Sequence, residues 1–296
     1  MRRRRPRTRP PRFWEDLLEL TKPGICVLAL AMAALGYCVG VSGPVHWPHF
    51  FISLFATGLI GAGCGAINQW MERDIDALMH RTKDRPLPTG RLSGRLALAL
   101  GFSCLAVGVV LLFVFVNAVT AILGIVTFLT YLVAYTPMKR VNSLSTLVGA
   151  VPGAMPPLMG WTAATGTLDW GGWVLFAIMF LWQVPHFLAI AWVYREDYAR
   201  AGLPILSVTD EEGSKTSKQV LLYSSVLLPL SLVPSLLGVT GAAYFFGAMI
   251  LGILFFIFSV YLAIFRTKVY ARRLFFASII YLPILGLLMA FDRLPH

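Results

Sequence analysis

Nine long apolar segments dominate this sequence, and each is long enough to cross the roughly 30 Å hydrocarbon core of a membrane as a helix. They cover residues 24–41, 50–67, 96–115, 119–135, 144–161, 173–193, 220–237, 244–265 and 274–291. Charged residues make up only 13% of the chain, about half the share usual in soluble domains. We therefore predict an all-α integral membrane protein, a bundle of nine transmembrane helices, with residues 18–296 forming a single membrane domain.

Lysine and arginine give the predicted bundle an orientation. If the N terminus lies inside and the chain breaks near Asn117 between the third and fourth spans, all 25 basic residues except Arg293 fall in inside segments. This one-sided distribution follows the positive-inside rule and puts the C terminus outside. The net charge of +11 is then explained by one membrane face, so no nucleic-acid partner is predicted.

The first residues form a separate basic arm. Residues 1–17 begin MRRRRPRTRPPR, which predicts a cytoplasmic arm that contacts anionic membrane lipids. A mitochondrial presequence is the alternative, although prolines oppose the amphipathic helix that it would need. The four cysteines lie in or beside apolar segments without metal-binding spacing, so they predict core packing rather than a disulfide framework or a zinc site.

A polar stretch at residues 68–90, NQWMERDIDALMHRTKDRPLPTG, interrupts this apolar pattern. Asn68, Glu72 and Asp76 are spaced four residues apart, so on a helix they form one stripe of oxygen acceptors. Carboxylates, carbonyls and phosphate oxygens are the ligands that Mg²⁺ prefers. The stripe is therefore a candidate magnesium site on the inside face.

Basic side chains follow the stripe in the same stretch. Arg81 and Arg85 can hold phosphate oxygens by charge-assisted hydrogen bonds. The alternative is that the two carboxylates of the stripe form surface pairs with Arg73 and His80. Asp74 points to another side of the helix and is a weaker ligand candidate.

Two further inside loops carry charges that have both a functional and a structural interpretation. Glu196 and Asp197 follow the sixth span, and a second acidic pair could hold cations or a diphosphate against the first. The alternative, which the residues alone favour, is a loop of mutually neutralising charges. Lys139 and Arg140 in YTPMKR, and Lys22 in LTKPG, are either topology markers or phosphate ligands.

His186 in WQVPHF lies in the inner half of the sixth span. Ionisable groups at membrane depth usually face a bundle interior or cavity. A neutral histidine could ligate iron, a protonated one could bind a propionate, and either form could serve in acid–base chemistry. A core histidine bonded to a neighbouring carbonyl is the structural alternative.

Three motifs in this order, NQWMERDIDALMHRTKDRPLPTGR, YTPMKR and WQVPHFLAIAWVYREDYARAGLPIL, resemble the intramembrane prenyltransferases of the UbiA-type superfamily over residues 18–291. Gln69 and Glu72 depart from the acids usual in that superfamily, and these departures resemble its haem-modifying branch. The resemblance implies that the catalytic metal ligands are Asn68, Glu72, Asp76, Glu196 and Asp197. It implies that the substrate-binding residues are Lys22, Arg81, Arg85, Lys139 and Arg140 for diphosphate, and His186 for haem.

The same resemblance implies the reaction. A farnesyl group would pass from farnesyl diphosphate to the vinyl group of haem B (protohaem IX), giving haem O and pyrophosphate, with Mg²⁺ as cofactor. It implies a multi-pass protein of the bacterial cytoplasmic (inner) membrane, with the mitochondrial inner membrane as the alternative. Haem A synthase and cytochrome oxidase assembly factors are candidate partners. Prenylation of a hydroxybenzoate, quinone precursor or chlorophyllide, and a polytopic transporter, are the other hypotheses.

Overall fold

The computed structural model describes residues 13–294, so the arginine-rich residues 1–12 lie outside the described residues. The described chain is almost entirely helical, as predicted. The helices are α1 (Phe13–Leu20), α2 (Pro23–Gly40), α3 (Trp47–Asp76), α4 (Gly94–Phe115), α5 (Ala118–Leu129), a π-helix (Thr130–Tyr135), α6 (Thr136–Met138), α7 (Ser145–Thr165), α8 (Trp170–Val193), α9 (Arg195–Arg200), α10 (Leu206–Thr209), α11 (Ser214–Leu230), α12 (Val233–Leu236), α13 (Ala242–Phe265) and α14 (Lys268–Phe291).

Eight helical segments within residues 13–294 are long and apolar enough to cross a membrane. The predicted fifth span corresponds to α7, which is not one of the eight and contains three prolines, Pro152, Pro156 and Pro157. The α-helical membrane bundle is confirmed. The count of nine spans, the inside position of the N terminus and the single domain over residues 18–296 stay predictions.

The break expected between the third and fourth spans is present at Asn117. Its side-chain carbonyl caps α5 by accepting from the backbone N–H of Thr120 at 2.8 Å, and its amide donates to the carbonyl of Thr162 at 2.8 Å. Asparagine is a favoured N-cap because it satisfies one of the free N–H groups of the first turn. Asn117 thus separates α4 from α5 and connects the start of α5 to α7.

Part of the predicted arm is folded. α1 carries an exposed apolar side, with Trp14 76% and Leu18 63% exposed, while Asp16 and Leu20 are buried. Arg91 donates from Nε to both carboxylate oxygens of Asp16, at 2.9 and 3.1 Å. This ion pair holds α1 against the loop that follows α3.

α7 lies in the interior and packs against α2 and α8. Its contact with α2 depends on two glycines: a Cβ on Gly36 would lie 2.0 Å from the carbonyl oxygen of Pro157, and one on Gly160 would lie 1.9 Å from that of Ala33. Small residues allow two membrane helices to approach at backbone distance. The α2–α7 crossing therefore leaves no room for a methyl group at either position.

Gly160→Ala is expected to destabilise the bundle by about 1–3 kcal/mol, because the added methyl group must push α2 away from α7. The measurement is thermal unfolding of the purified protein in detergent. Gly24→Ala is the matched control, since Gly24 lies on α2 and a Cβ there has nothing within 4 Å. Equal melting temperatures for the two variants would contradict the close crossing.

Candidate active site

The acceptor stripe of α3 is buried rather than solvated. Asn68, Glu72 and Asp76 are 1%, 4% and 1% exposed, although they lie at the polar end of a helix 30 residues long. The alternative of surface pairs with Arg73 and His80 is wrong: Arg73 donates instead to the carbonyl of Trp70 at 2.8 Å. Buried carboxylates require partners, and the structure provides them from other helices and loops.

Each member of the stripe meets one cation. Lys139 Nζ lies 3.1 and 3.2 Å from the two carboxylate oxygens of Glu72. Arg85 donates to Asp76 Oδ2 at 2.7 Å. Lys22 Nζ donates to Asn68 Oδ1. Three cations and two carboxylates thus form a cluster with an excess of positive charge, which suits a polyanionic ligand.

Lys22 reaches this cluster from a strained backbone. It stands between α1 and α2 with φ 54°, a left-handed conformation that is uncommon for residues other than glycine. Burial lowers the pKa of Lys22 to about 8, with Glu72 opposing this shift and Arg85 and Lys139 adding to it. The turn before α2 therefore holds the Lys22 amine among the charged side chains of the cluster, and these side chains change its pKa.

Gln69, which replaces the superfamily's first acid, points away from the cluster. Its Nε2 donates to the carbonyls of Glu19 at 2.8 Å and of Leu20 at 3.1 Å, at the end of α1. Gln69 and Asn68 therefore hold the same turn from two sides, one through its backbone and the other through the Lys22 side chain. Sequence reasoning treated Gln69 as a missing ligand and did not find this contact.

A second face of the site comes from the π-helix, which sequence reasoning also missed. Tyr131 and Tyr135 stack with ring centroids 5.5 Å apart, and the Tyr131 hydroxyl lies 3.4 Å from Lys22 Nζ. Thr136 accepts from Asn68 Nδ2 at 2.9 Å and donates to the Tyr131 carbonyl at 2.8 Å. Single π-helical turns are frequent at functional sites, and the tyrosine spacing of four was the available sequence signal.

The two residues of the predicted second acidic pair, Glu196 and Asp197, have different surroundings. Glu196 has a side chain 74% exposed and pairs with Lys268 at 2.6 Å. Asp197 accepts from the backbone N–H groups of His80 and Arg81 and pairs with Arg200 at 2.7 Å. Burial alone would raise the pKa of Asp197, but these donors outweigh it and hold that pKa below its ordinary value. Asp197 thus fastens the loop after α8 to the loop after α3.

The two remaining basic residues of the predicted site, Arg81 and Arg140, lie in different places. Arg81 lies beside the cluster, with its guanidinium 5.5 Å from the Tyr194 ring centroid and 3.4 Å from the Tyr198 hydroxyl. Arg140 turns outward and forms two 2.7 Å hydrogen bonds with Asp74, which is itself exposed. The structure therefore brings Arg81 to the edge of the site and places Arg140 outside it.

The cluster has one open position that suits a divalent cation. Asp76 Oδ1 is buried and has no hydrogen-bond partner in the described chain, while Asp76 Oδ2 is held by Arg85. Residues 13–294 contain no group of three or more His, Cys, Asp or Glu side chains that could hold a metal ion. Mg²⁺ is commonly bound by one or two carboxylates together with substrate phosphates. The residues fit a metal that is shared with a phosphate ligand.

His186 lies on the side of α8 that faces α14. Its Nδ1 is 2.6 Å from Ser278 Oγ, and its ring stacks on Trp182 with centroids 4.7 Å apart. The structure therefore puts His186 within the bundle, as predicted, eight residues before Tyr194, whose ring lies beside Arg81.

The sequence profile of the UbiA prenyltransferase family matches residues 29–280, and the chain belongs to this family. A protoheme IX farnesyltransferase of Solibacter usitatus is 47% identical over 287 residues, 94% of this chain and 98% of the relative. A protoheme IX farnesyltransferase of Myxococcus xanthus is 45% identical over 290 residues, 97% of each chain.

Solved structures share the fold at low sequence identity. A digeranylgeranylglyceryl phosphate synthase has a TM-score of 0.80 and 20% identity, covering 94% of this chain and 98% of that one. A UbiA homolog from Archaeoglobus fulgidus, bound to DMAPP and Mg²⁺, has a TM-score of 0.66 and 16% identity, covering 93% and 99%. The resemblance stated from the sequence motifs is confirmed.

Proposed function

We propose that this protein transfers a farnesyl group from farnesyl diphosphate to a vinyl group of haem B, making haem O and releasing pyrophosphate. The relatives at 47% and 45% identity, which match nearly the whole chain and are named protoheme IX farnesyltransferase, support this reaction. The observation that carries the proposal is the buried cluster of three cations and two carboxylates at one end of a membrane bundle.

Lys22, Arg85 and Lys139 are proposed to hold the diphosphate oxygens, with Arg81 at the edge of the same site. Asp76 Oδ1, which has no partner in the described residues, and Glu72 are proposed to hold Mg²⁺ with the diphosphate. When bound, Mg²⁺ supplies Lewis-acid stabilisation of the charge that develops on the leaving group. The family member solved with DMAPP and Mg²⁺ supports such a metal.

The reaction begins when the allylic C–O bond breaks and its electron pair leaves with the diphosphate. The fixed cations lower the energy of this step because they already point at the position where negative charge grows. The vinyl carbon of haem then attacks the allylic cation and forms the new C–C bond. Water adds to the porphyrin-stabilised cation that results and loses a proton, which gives the hydroxyethylfarnesyl side chain.

Apolar surroundings protect the allylic cation from early attack by water. The stacked Tyr131 and Tyr135 rings lie next to Lys22 and offer aromatic faces on the membrane side of the cluster. The bundle interior beyond them is apolar: a small cavity of about 20 Å³ between α2, α7, α8 and α14 has walls that include Met32, Pro157 and Leu285.

The test is turnover by purified protein in lipid nanodiscs supplied with haem B, farnesyl diphosphate and Mg²⁺. Haem O is identified by its mass, and pyrophosphate release is measured in parallel. A hydroxybenzoate in place of haem B tests prenylation of another aromatic acceptor. Prenylation of the phenolic acid without haem O formation would refute the haem assignment, and solute flux without pyrophosphate release would favour a transporter.

The proposed function also concerns the membrane in which the protein lies and its partners. The chain is a multi-pass membrane protein of a prenyltransferase family, and we propose the bacterial cytoplasmic (inner) membrane as its location. Haem A synthase and cytochrome oxidase assembly factors stay predicted partners.

Gln69→Met is expected to raise the KM for farnesyl diphosphate by up to about tenfold and to leave the KM for haem B unchanged. The physical reason is that two hydrogen bonds to the turn before Lys22 are lost at nearly constant side-chain volume. In a Lys22→Ala background the effect is expected to disappear, because Gln69 then has no lysine to position.

The control for this double-mutant cycle is Thr120→Val. Thr120 is fully buried and bonds the Thr162 hydroxyl at 2.9 Å, far along the bundle from Lys22. Its effect should add to that of Lys22→Ala. If the Gln69→Met effect also adds to that of Lys22→Ala, Gln69 does not act through the lysine.

A further inference from the structure

The ring of His186 is held by aromatic neighbours and by a hydrogen bond. It stacks on Trp182 at 4.7 Å with 22° between the ring planes, and it faces Phe275 with centroids 5.2 Å apart. Its Nδ1 lies 2.6 Å from Ser278 Oγ. These contacts, together with Phe187 at 5.6 Å, define the ring position and the direction of the opposite ring edge, which carries Nε2.

The hydrogen bonds of Ser278 determine which ring nitrogen of His186 carries the proton. Ser278 Oγ lies 2.6 Å from the carbonyl oxygen of Phe275, and a carbonyl can only accept. The single hydroxyl proton is thus used there, and Oγ has only lone pairs to offer His186. Nδ1 must therefore donate, and in a neutral imidazole Nε2 is then an unprotonated acceptor.

Nε2 is free to bind something that the chain does not supply. The described residues offer it no hydrogen-bond partner, and the side chain is only partly buried. No acidic side chain in the described part of the chain pairs with His186, so a charged imidazolium would have no counter-ion. A neutral histidine with Nδ1–H held by a protein acceptor and Nε2 open is the usual arrangement of a metal-ligating histidine.

We propose that Nε2 of His186 is an axial ligand of the iron in the haem substrate, and that Ser278 is the positioning residue that holds the required tautomer. This inference rests on the proposed function. The axial position also suits the reaction. Tyr194, which directly follows α8 and lies beside Arg81, is eight residues beyond His186, a rise of about 12 Å. Haem held at His186 can therefore direct its vinyl edge towards the diphosphate end of the site.

The first test compares two porphyrins that differ only in the metal. Purified full-length protein is titrated with haem B and with metal-free protoporphyrin IX, and binding is followed by absorbance. The wild type is expected to prefer haem B by at least about tenfold, and His186→Ala is expected to lose this preference. Added imidazole should restore a nitrogen-ligated haem spectrum to His186→Ala, because it can occupy the vacated position.

The second test concerns Ser278. Ser278→Ala is expected to weaken haem B binding by about tenfold and to shift the iron–imidazole stretching frequency of the ferrous complex, because Nδ1 loses its acceptor. Ser278→Thr retains the hydroxyl and should behave like the wild type. Ser259→Ala is the matched control: Ser259 is buried on α13 and also bonds a carbonyl one turn earlier, that of Phe255 at 3.0 Å.

The outcomes separate this inference from the proposed function. An unchanged haem spectrum and an unchanged preference for haem B in His186→Ala would overturn the iron ligation. Equal loss of both porphyrins in that variant would also overturn it and would indicate a propionate contact. Haem O formation without any preference for the iron porphyrin refutes only the ligation, whereas prenylation of a phenolic acid with no porphyrin binding refutes the proposed function itself.

Discussion

Asp76→Asn is expected to reduce kcat on the order of 10³-fold while leaving the bundle folded. The substitution keeps the size of the side chain but removes the charge from the buried oxygen that has no partner in the described chain, Asp76 Oδ1. Asp76 is proposed to hold Mg²⁺, so its loss removes the cation that stabilises the developing anion, and losing one such preorganised group typically has an effect of this size. The measurement is haem O formation at saturating farnesyl diphosphate over a range of Mg²⁺ concentrations.

Asp74→Asn provides the matched control for that result. Asp74 lies two residues earlier on the same helix, but its carboxylate is exposed and pairs with Arg140. Its replacement should leave turnover within about twofold of the wild type, because exposed ion pairs contribute little. Near-normal activity of Asp76→Asn at saturating Mg²⁺ would exclude Asp76 as a metal ligand. Comparable losses in both variants would indicate a general effect of charge on this face.

Lys139→Met is expected to lower kcat/KM for farnesyl diphosphate on the order of 10²-fold and to destabilise the protein by about 3–5 kcal/mol. The stability effect arises because Glu72, with a side chain 5% exposed, would keep a buried charge without its cation. Activity should fall because one of the cations proposed to hold the diphosphate is gone. Steady-state kinetics and thermal unfolding in detergent measure the two effects separately.

Two further variants separate charge at the site from damage to the fold. Arg140→Met changes the next residue, whose side chain is 38% exposed and pairs with Asp74, and it should affect neither quantity strongly. Glu72→Gln combined with Lys139→Met removes both buried charges, so stability should largely return while activity stays low. Recovery of activity in the double variant would show that Lys139 serves only to neutralise Glu72.

Local sequence pattern was sufficient for the stripe on α3. A spacing of four residues predicts a common helical face, and Asn68, Glu72 and Asp76 do share one buried face. The same logic put Asp74 on another side, where it is found exposed. These predictions succeeded because the period of a helix depends on hydrogen bonds between neighbouring residues and not on the rest of the fold.

Ion pairs between residues that are distant in the sequence could not be predicted from local spacing. Lys139 and Arg140 are adjacent in one short basic motif, yet one enters the cluster and the other turns outward. Lys139 lies 67 residues from its partner Glu72. Both residues satisfy the sequence rules for a phosphate ligand and for a topology marker. Only the direction in which α6 leaves the π-helix determines which of them faces the site.

The contacts of the second acidic pair could not be predicted from the sequence either. Glu196 and Asp197 are adjacent and equally acidic, but Glu196 meets Lys268 on the surface while Asp197 receives backbone N–H groups from the loop after α3. The resemblance implied that both bind metal. Adjacent residues on a helical turn point about 100° apart, so the packing of α9 against that loop determined their contacts.

The sequence by itself determined the membrane helices and the acceptor stripe, because hydropathy and helical period are properties of short segments. Tertiary structure decided which cations meet the stripe, that Gln69 holds the turn before Lys22, and that Ser278 selects the proton position on His186. These contacts join residues up to about a hundred positions apart. They exist only once the helices pack, since burial makes each polar group find a partner.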